Sequence, residues 1–158
     1  MSSLLPPSRR IARVWALALS VPFLISLAAL TLTPSKVEDS MPTLLDAVLT
    51  TAHRLGWEWL DFTRLEILAN VLVFVPVGIF SFVLLPRRVW FLALLVGPLL
   101  SAMIETAQRL ALPHRAATVN DVVANTTGAI LGVAIAVVVT LLFARRPSQR
   151  PPSRLETL

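Results

Sequence analysis

The chain contains no cysteine and only two histidines. That excludes a disulfide framework, a thiolate nucleophile and a zinc site of the finger type. Charge is scarce too: 15% of the 158 residues are charged, whereas 56% are hydrophobic, and mean hydropathy is +0.76. A water-soluble domain of this length needs far more polar surface, so the composition points to an integral membrane protein. Glycine-rich phosphate loops, nucleotide fingerprints, helical zinc-protease motifs and long repeats are also missing. The sequence therefore implies no metal and no cofactor. A net charge of +5 and a pI near 11.5 do not make a nucleic-acid binder. The arginines stand in short runs beside apolar segments, where they orient membrane helices.

What is present is a set of four apolar segments, at about 14–32, 65–85, 89–110 and 121–143. Each approaches or exceeds the ~20 residues that cross a hydrocarbon core. The first competes with a cleaved signal peptide, but Ala28-Ala29 is followed by Leu30-Thr31-Leu32 and not by a cleavage pattern. It reads as an uncleaved helix, with Pro22 expected to kink it. Residues 34–64 form a weakly acidic loop in which Leu44, Leu45, Val48, Leu49, Ala52, Leu55, Trp59 and Leu60 recur at helical spacing. Two readings of that segment stand: an amphipathic helix in the membrane interface, or an extramembrane helix packed on its own loop. A basic tail occupies 1–13, and the Pro-, Ser- and Arg-rich residues 144–158 are expected to be disordered.

With four crossings, Arg9, Arg10, Arg13, Arg87, Arg88, Arg145 and Arg146 fall on one side. The positive-inside bias makes that side cytoplasmic. The expected fold is all-α integral membrane, with four transmembrane helices, both termini cytoplasmic, and an amphipathic helix between the first two. The expected location is the cell membrane, as a multi-pass protein.

This topology sends Glu66 and Asn70, Glu105 and Gln108, and Asp121 and Asn125 to one membrane depth on the non-cytoplasmic side, with Arg115 in the loop between the last two helices. Polar side chains in a bilayer are costly, so such a cluster is a candidate functional site. At about 100° per residue, Asp121, Asn125, Gly128 and Gly132 share a stripe, Pro98, Ser101 and Glu105 share a face with Gln108 and Arg109 on its edges, and Glu66, Asn70, Phe74, Val77 and Ser81 share another. Gly128 and Gly132 form a close-approach motif for helix packing. Structural roles compete at each position. Thr118 and Asp121 have capping-box spacing, Asn70 and Asn125 can cross-link helices, and Arg109 can pair with Glu105 one turn away.

In order and spacing, these residues resemble the VanZ-like family of membrane proteins. The resemblance rests on Asn70 before Phe74-Val75-Pro76-Val77-Gly78, then Glu105-x-x-Gln108, Arg115, and Asp121-x-x-x-Asn125-x-x-Gly128-x-x-x-Gly132. It departs from the family in the loop after the first helix, where many members carry an Asp-Lys-x-x-His element. Here Asp46 is followed by Ala47, and His53 stands too far along, so neither receives a role. The family takes its name from a protein linked to resistance to teicoplanin, a lipid-tailed glycopeptide. The resemblance thus implies a role in the cell envelope, with a possible link to antibiotic resistance.

The expected function is binding of a lipid-linked envelope precursor or lipopeptide-like ligand among membrane lipids. Arg115 would engage an anionic group, and the amides of Asn70, Gln108 and Asn125 would orient it. Two alternatives remain. One is a membrane-embedded hydrolase or transferase with Glu105 and Asp121 as acid and base, and the other is a small carrier or scaffold.

Overall fold

The computed structural model describes residues 10–32, 42–111 and 119–144. All regular structure among them is helical: α1 (Arg10–Leu32), α2 (Pro42–Arg54), α3 (Phe62–Leu84), α4 (Ala93–Ala111) and α5 (Val119–Ala144). A 3-10 segment, Arg87–Leu92, precedes α4. Four helical stretches are long and apolar enough to cross a membrane: α1, α3, the 3-10 segment with α4, and α5. Most of their large apolar side chains lie exposed, among them Trp15, Leu72, Leu99, Met103 and Leu142. That is the surface hydrocarbon chains would cover, and the backbone polar groups beneath it are paired within the helices.

Local chemistry explains where the helices begin and end. The Asp61 carboxylate accepts the Arg64 backbone N–H at 2.9 Å and caps α3, so that helix starts three residues before the apolar run at Leu65. Proline lies inside α1, α3 and α4, at Pro22, Pro76 and Pro98. Each helix continues through its proline as a single element, as bundled membrane helices tolerate. The third crossing is less regular than its apolar run predicts. Val89 has φ −123° and ψ 23°, outside helical values, so the α-helix proper begins only at Ala93.

The α2 helix ends at Arg54, short of the apolar spacing that extends to Leu60, because the chain turns at Gly56 with φ +85°. His53 Nε2 bonds the Leu60 carbonyl at 2.8 Å, and Arg64 bonds the Trp59 carbonyl, which together fold this turn back towards α3. Ala52 and Leu60 are buried there, while Leu44, Val48, Leu55, Trp57 and Trp59 remain exposed. The two terminal tails expected from the sequence lie outside the described residues, apart from Arg10 to Arg13, which belong to α1, and Ala144, the last residue of α5.

The spanning helices pack around α3, which touches each of the other three. Gly128 lies against the Val71 backbone, Gly132 against Val75, and Gly78 against Ala129. Residue numbers rise together along this contact, so α3 and α5 run parallel. Gly97 meets Ala129, and Ala93 clusters with Val133 and Ala136, so α4 runs antiparallel to α5. Phe23 packs edge-on to Phe80 at 5.9 Å between centroids, while Leu27 clusters with Phe74 and Val77, which sets α1 antiparallel to α3. The result is an up-down-up-down bundle.

The glycines matter because a Cβ at 78, 128 or 132 would lie 2.0 Å from a carbonyl oxygen of the neighbouring helix. Their Cα atoms are therefore close enough for interhelical Cα–H···O contacts, each worth about 0.5–1 kcal/mol. The core has two layers: Phe74, Val77 and Ala129 with Leu27 of α1, and Phe82, Ala93, Val133 and Ala136 nearer one end.

Candidate functional site

The start of α3, the end of α4 and the start of α5 meet at the opposite end of the bundle, joined by the end of α1. Polar side chains of α3, α4 and α5 bond across the interfaces there, and α1 contributes a backbone carbonyl. Asn70 Nδ2 donates to Asp121 Oδ1 at 2.9 Å, linking α3 to α5. Asn125 Nδ2 donates to Ser101 Oγ at 2.9 Å, linking α5 to α4. Gln108 Nε2 donates to the Thr31 carbonyl at 2.8 Å, linking α4 to the last turn of α1. Glu105 is buried one turn beyond Ser101 on α4.

Helical periodicity accounts for the inward aim of these groups. Ser101, Glu105 and Gln108 follow one another at intervals of four and three on α4, and all three are buried. On α5, Asn125 continues into Gly128 and Gly132, the stripe pressed against α3. On α3, half-buried Asn70 stands one turn before buried Phe74. Two neighbouring charges are not drawn in. Glu66 is exposed at the bundle rim, although the helical spacing groups it with Asn70. Arg109 is also exposed, so its spacing from Glu105 does not carry it into the interior. Arg115 and His114 lie outside the described residues.

Two participants were not singled out by the sequence. Ser101 is fully buried as the acceptor for Asn125, and Thr31 supplies a carbonyl to Gln108. A hydroxyl on the same face as Glu105 was the only signal for Ser101. For Thr31 there was none, because any residue supplies a carbonyl.

The amide orientations have a chemical consequence. Asn70 faces a carboxylate and Gln108 faces a carbonyl, so both must present nitrogen to the protein. Each has committed an N–H to the bundle, and their carbonyl oxygens are left for other partners. Asn125 Oδ1 is buried and has no hydrogen-bond partner among the described residues. The cluster is therefore richer in acceptors than in donors, which differs from amides arranged to donate to an anion. Ser101 is its hydroxyl, but it is fully buried and engaged by an amide, not a base. Among the described residues, no group of three or more acidic or His side chains could hold a metal ion.

Beside this end, an apolar groove of about 430 Å³ runs along the outer face of α4, lined by Leu99, Ala102, Met103, Thr106, Ala107 and Leu110. It is open and shallow, and it contains none of the clustered polar residues.

No curated protein and no solved structure matches the chain significantly. The family model described as VanZ/LLP1 matches residues 20–141, which take in every described residue of the polar cluster and the whole α3–α5 contact. By that match, this four-helix membrane protein belongs to the VanZ/LLP1 family.

Proposed function

We propose that the polar end of the bundle faces the outside of the cell membrane and binds the head group of a lipid-linked envelope molecule or a lipopeptide-like compound. The observation that carries this reading is the convergence of Asn70, Ser101, Glu105, Gln108, Asp121 and Asn125 from three helices at one end of an otherwise apolar bundle. Scattered structural polarity would not collect at a single depth. The opposite end carries Arg10, Arg13, Arg87 and Arg88, and the positive-inside bias assigns it to the cytoplasm, with both termini.

Lipid-linked envelope precursors join phosphate to sugar or peptide groups rich in O–H and N–H. The acceptor-rich cluster receives those donors, and Arg115 engages the anionic part. The apolar groove on α4 takes the lipid tail. The exposed Leu44, Val48, Trp57 and Trp59 settle α2 and its following turn in the interface above the site. Through such a ligand, the protein acts in envelope biology and in the response to lipid-tailed glycopeptides.

Native mass spectrometry of the detergent-extracted protein tests this reading. A co-purifying lipid-linked adduct is expected on the wild type, and it is lost in Arg115→Ala at unchanged protein yield. An identical lipid profile in both proteins would refute ligand binding by this end.

A further inference from the structure

The polar cluster is covered on one side by α1. Ser101, Glu105, Gln108 and Asn125 are all buried, and the Gln108 amide ends on the Thr31 carbonyl of α1 at 2.8 Å. One turn before Thr31, Leu27 plugs into the bundle. It shares a cluster with Phe74 and Val77 of α3 and Ala129 of α5, and Leu100 and Ile104 of α4 pack against that cluster. A head group therefore meets α1 before it meets Gln108 from this side.

The other three helices are fastened to one another in a way that α1 is not. Gly78, Gly128 and Gly132 seat α3 directly on the backbone of α5, and Gly97 with the Asn125–Ser101 bond seats α4 on α5. In α1 only Ala16, Ser20 and Leu27 of 23 residues are buried, and two of these precede Pro22. Beyond Pro22, Leu27 is buried, Phe23 and Thr31 are half-buried, and the rest of the helix is exposed. Pro22 has no N–H to give the Ala18 carbonyl, so the two halves of α1 are joined by one intrahelical bond fewer, at the kind of position where helices bend. Lifting the second half is also cheap in a bilayer. Phe23 and Leu27 would exchange apolar neighbours for lipid chains that are equally apolar, so no hydrophobic term opposes the movement.

We infer that residues 23–32 of α1 form a hinged lid, pivoting at Pro22 and latched by Gln108, which lifts into the lipid and opens the polar cluster sideways. The inference deepens the proposed function and rests on it for the purpose of the lid: a lipid-linked head group enters from the bilayer between α1 and α4, and its tail stays among the lipids. The movement itself is tested without any ligand, so failure of the lid and failure of ligand binding are told apart.

The test is pulsed electron–electron resonance on the full chain in nanodiscs. The chain has no cysteine, so Leu30→Cys with Val123→Cys carries spin labels on the lid and on α5. Trp15→Cys with Val138→Cys reports the half of α1 before the pivot. All four positions are exposed, so labelling leaves the core intact. A lid of ten residues is about 15 Å long, and a 20° swing moves its tip by about 5 Å. The lid pair is expected to show a main distance and a longer component about 5 Å beyond it. Gln108→Leu should raise the ratio of the longer component to the main one about threefold, the effect of one interhelical hydrogen bond in a membrane. The Trp15 pair should not change in that variant; an equal change in both pairs means that α1 loosens as a whole, and overturns the lid. Pro22→Ala restores the bond to Ala18 and should narrow the lid distribution, whereas an unaltered width overturns the pivot. A single lid distance that Gln108→Leu leaves unmoved overturns the inference.

Discussion

Replacing Gly128 or Gly132 with alanine tests how the bundle is held together. The new Cβ would lie 2.0 Å from the Val71 or Val75 carbonyl oxygen. Ordinary carbon–oxygen contact begins near 3.3 Å, so α3 and α5 must separate locally by about 1.3 Å. The obstruction is backbone, not the free end of a side chain, so rotamer changes cannot absorb it. Overpacking of this kind costs about 1–3 kcal/mol, and loss of the Cα–H···O contact adds about 0.5–1 kcal/mol. The better helix propensity of alanine gives little in return, because separated helices in a bilayer or micelle are already helical.

The expected loss is therefore about 2–4 kcal/mol for each variant. Gly128→Ala/Gly132→Ala should cost less than the sum, since the first separation makes room for the second methyl group. The assay is unfolding of the purified protein in dodecyl maltoside micelles by increasing SDS, followed by tryptophan fluorescence. Ile130→Ala, on the exposed side of α5, is the control, with a shift of about 0.5 kcal/mol or less. Wild-type midpoints for both glycine variants, or strict additivity in the double variant, would refute the close-contact account.

Three further outcomes follow from other contacts. Asn70→Leu and Asp121→Asn each remove or weaken the α3–α5 hydrogen bond. Each should cost about 0.6 kcal/mol, at most ~2, and a double-mutant cycle in the same SDS assay should show that the losses do not add. Phe82→Ala removes a fully buried ring that carries both Trp90 and the Arg87 guanidinium. A loss of about 3–5 kcal/mol is expected, read as the SDS midpoint, and a loss under about 1 kcal/mol would contradict the packing described. Because the chain has no cysteine, single cysteines report orientation cleanly. Under the proposed topology, an impermeant maleimide should label Thr63→Cys in intact cells and Arg88→Cys only after lysis; the reverse pattern would invert the protein in the membrane.

Much of the frame was legible because the signals that create it are local. Apolar runs near twenty residues mark crossings by themselves, and the 100° turn per residue sorts each helix into faces. Ser101 and Glu105 group on α4 by that arithmetic, and the structure buries both; of Gln108 and Arg109 at the edges of that face, it buries Gln108 and leaves Arg109 exposed. The same arithmetic placed Glu66 with Asn70, yet Glu66 is exposed. It stands within the first turns of α3, beyond the neighbours that cover Asn70, and a face assignment carries no information about depth. The start of α3 was missed because Asp61 caps it from outside the apolar run. The break before α4 was missed because Val89 looks no less helical than its neighbours.

The sequence by itself determined four helices long and apolar enough to cross a membrane, the bundle end at which each described polar residue lies, and the glycine stripe that permits close approach. Periodicity within one helix is enough for those, since it needs no knowledge of the partner. Only the tertiary structure decided who meets whom. Asp121 takes its hydrogen bond from Asn70, 51 residues away, and Gln108 reaches a carbonyl of α1, 77 residues away. Arg87 folds inward onto Phe82 and not outward to water. Those outcomes depend on the rotation and depth of each helix against its neighbours. Packing among glycines and buried rings sets both, and no single helix encodes them.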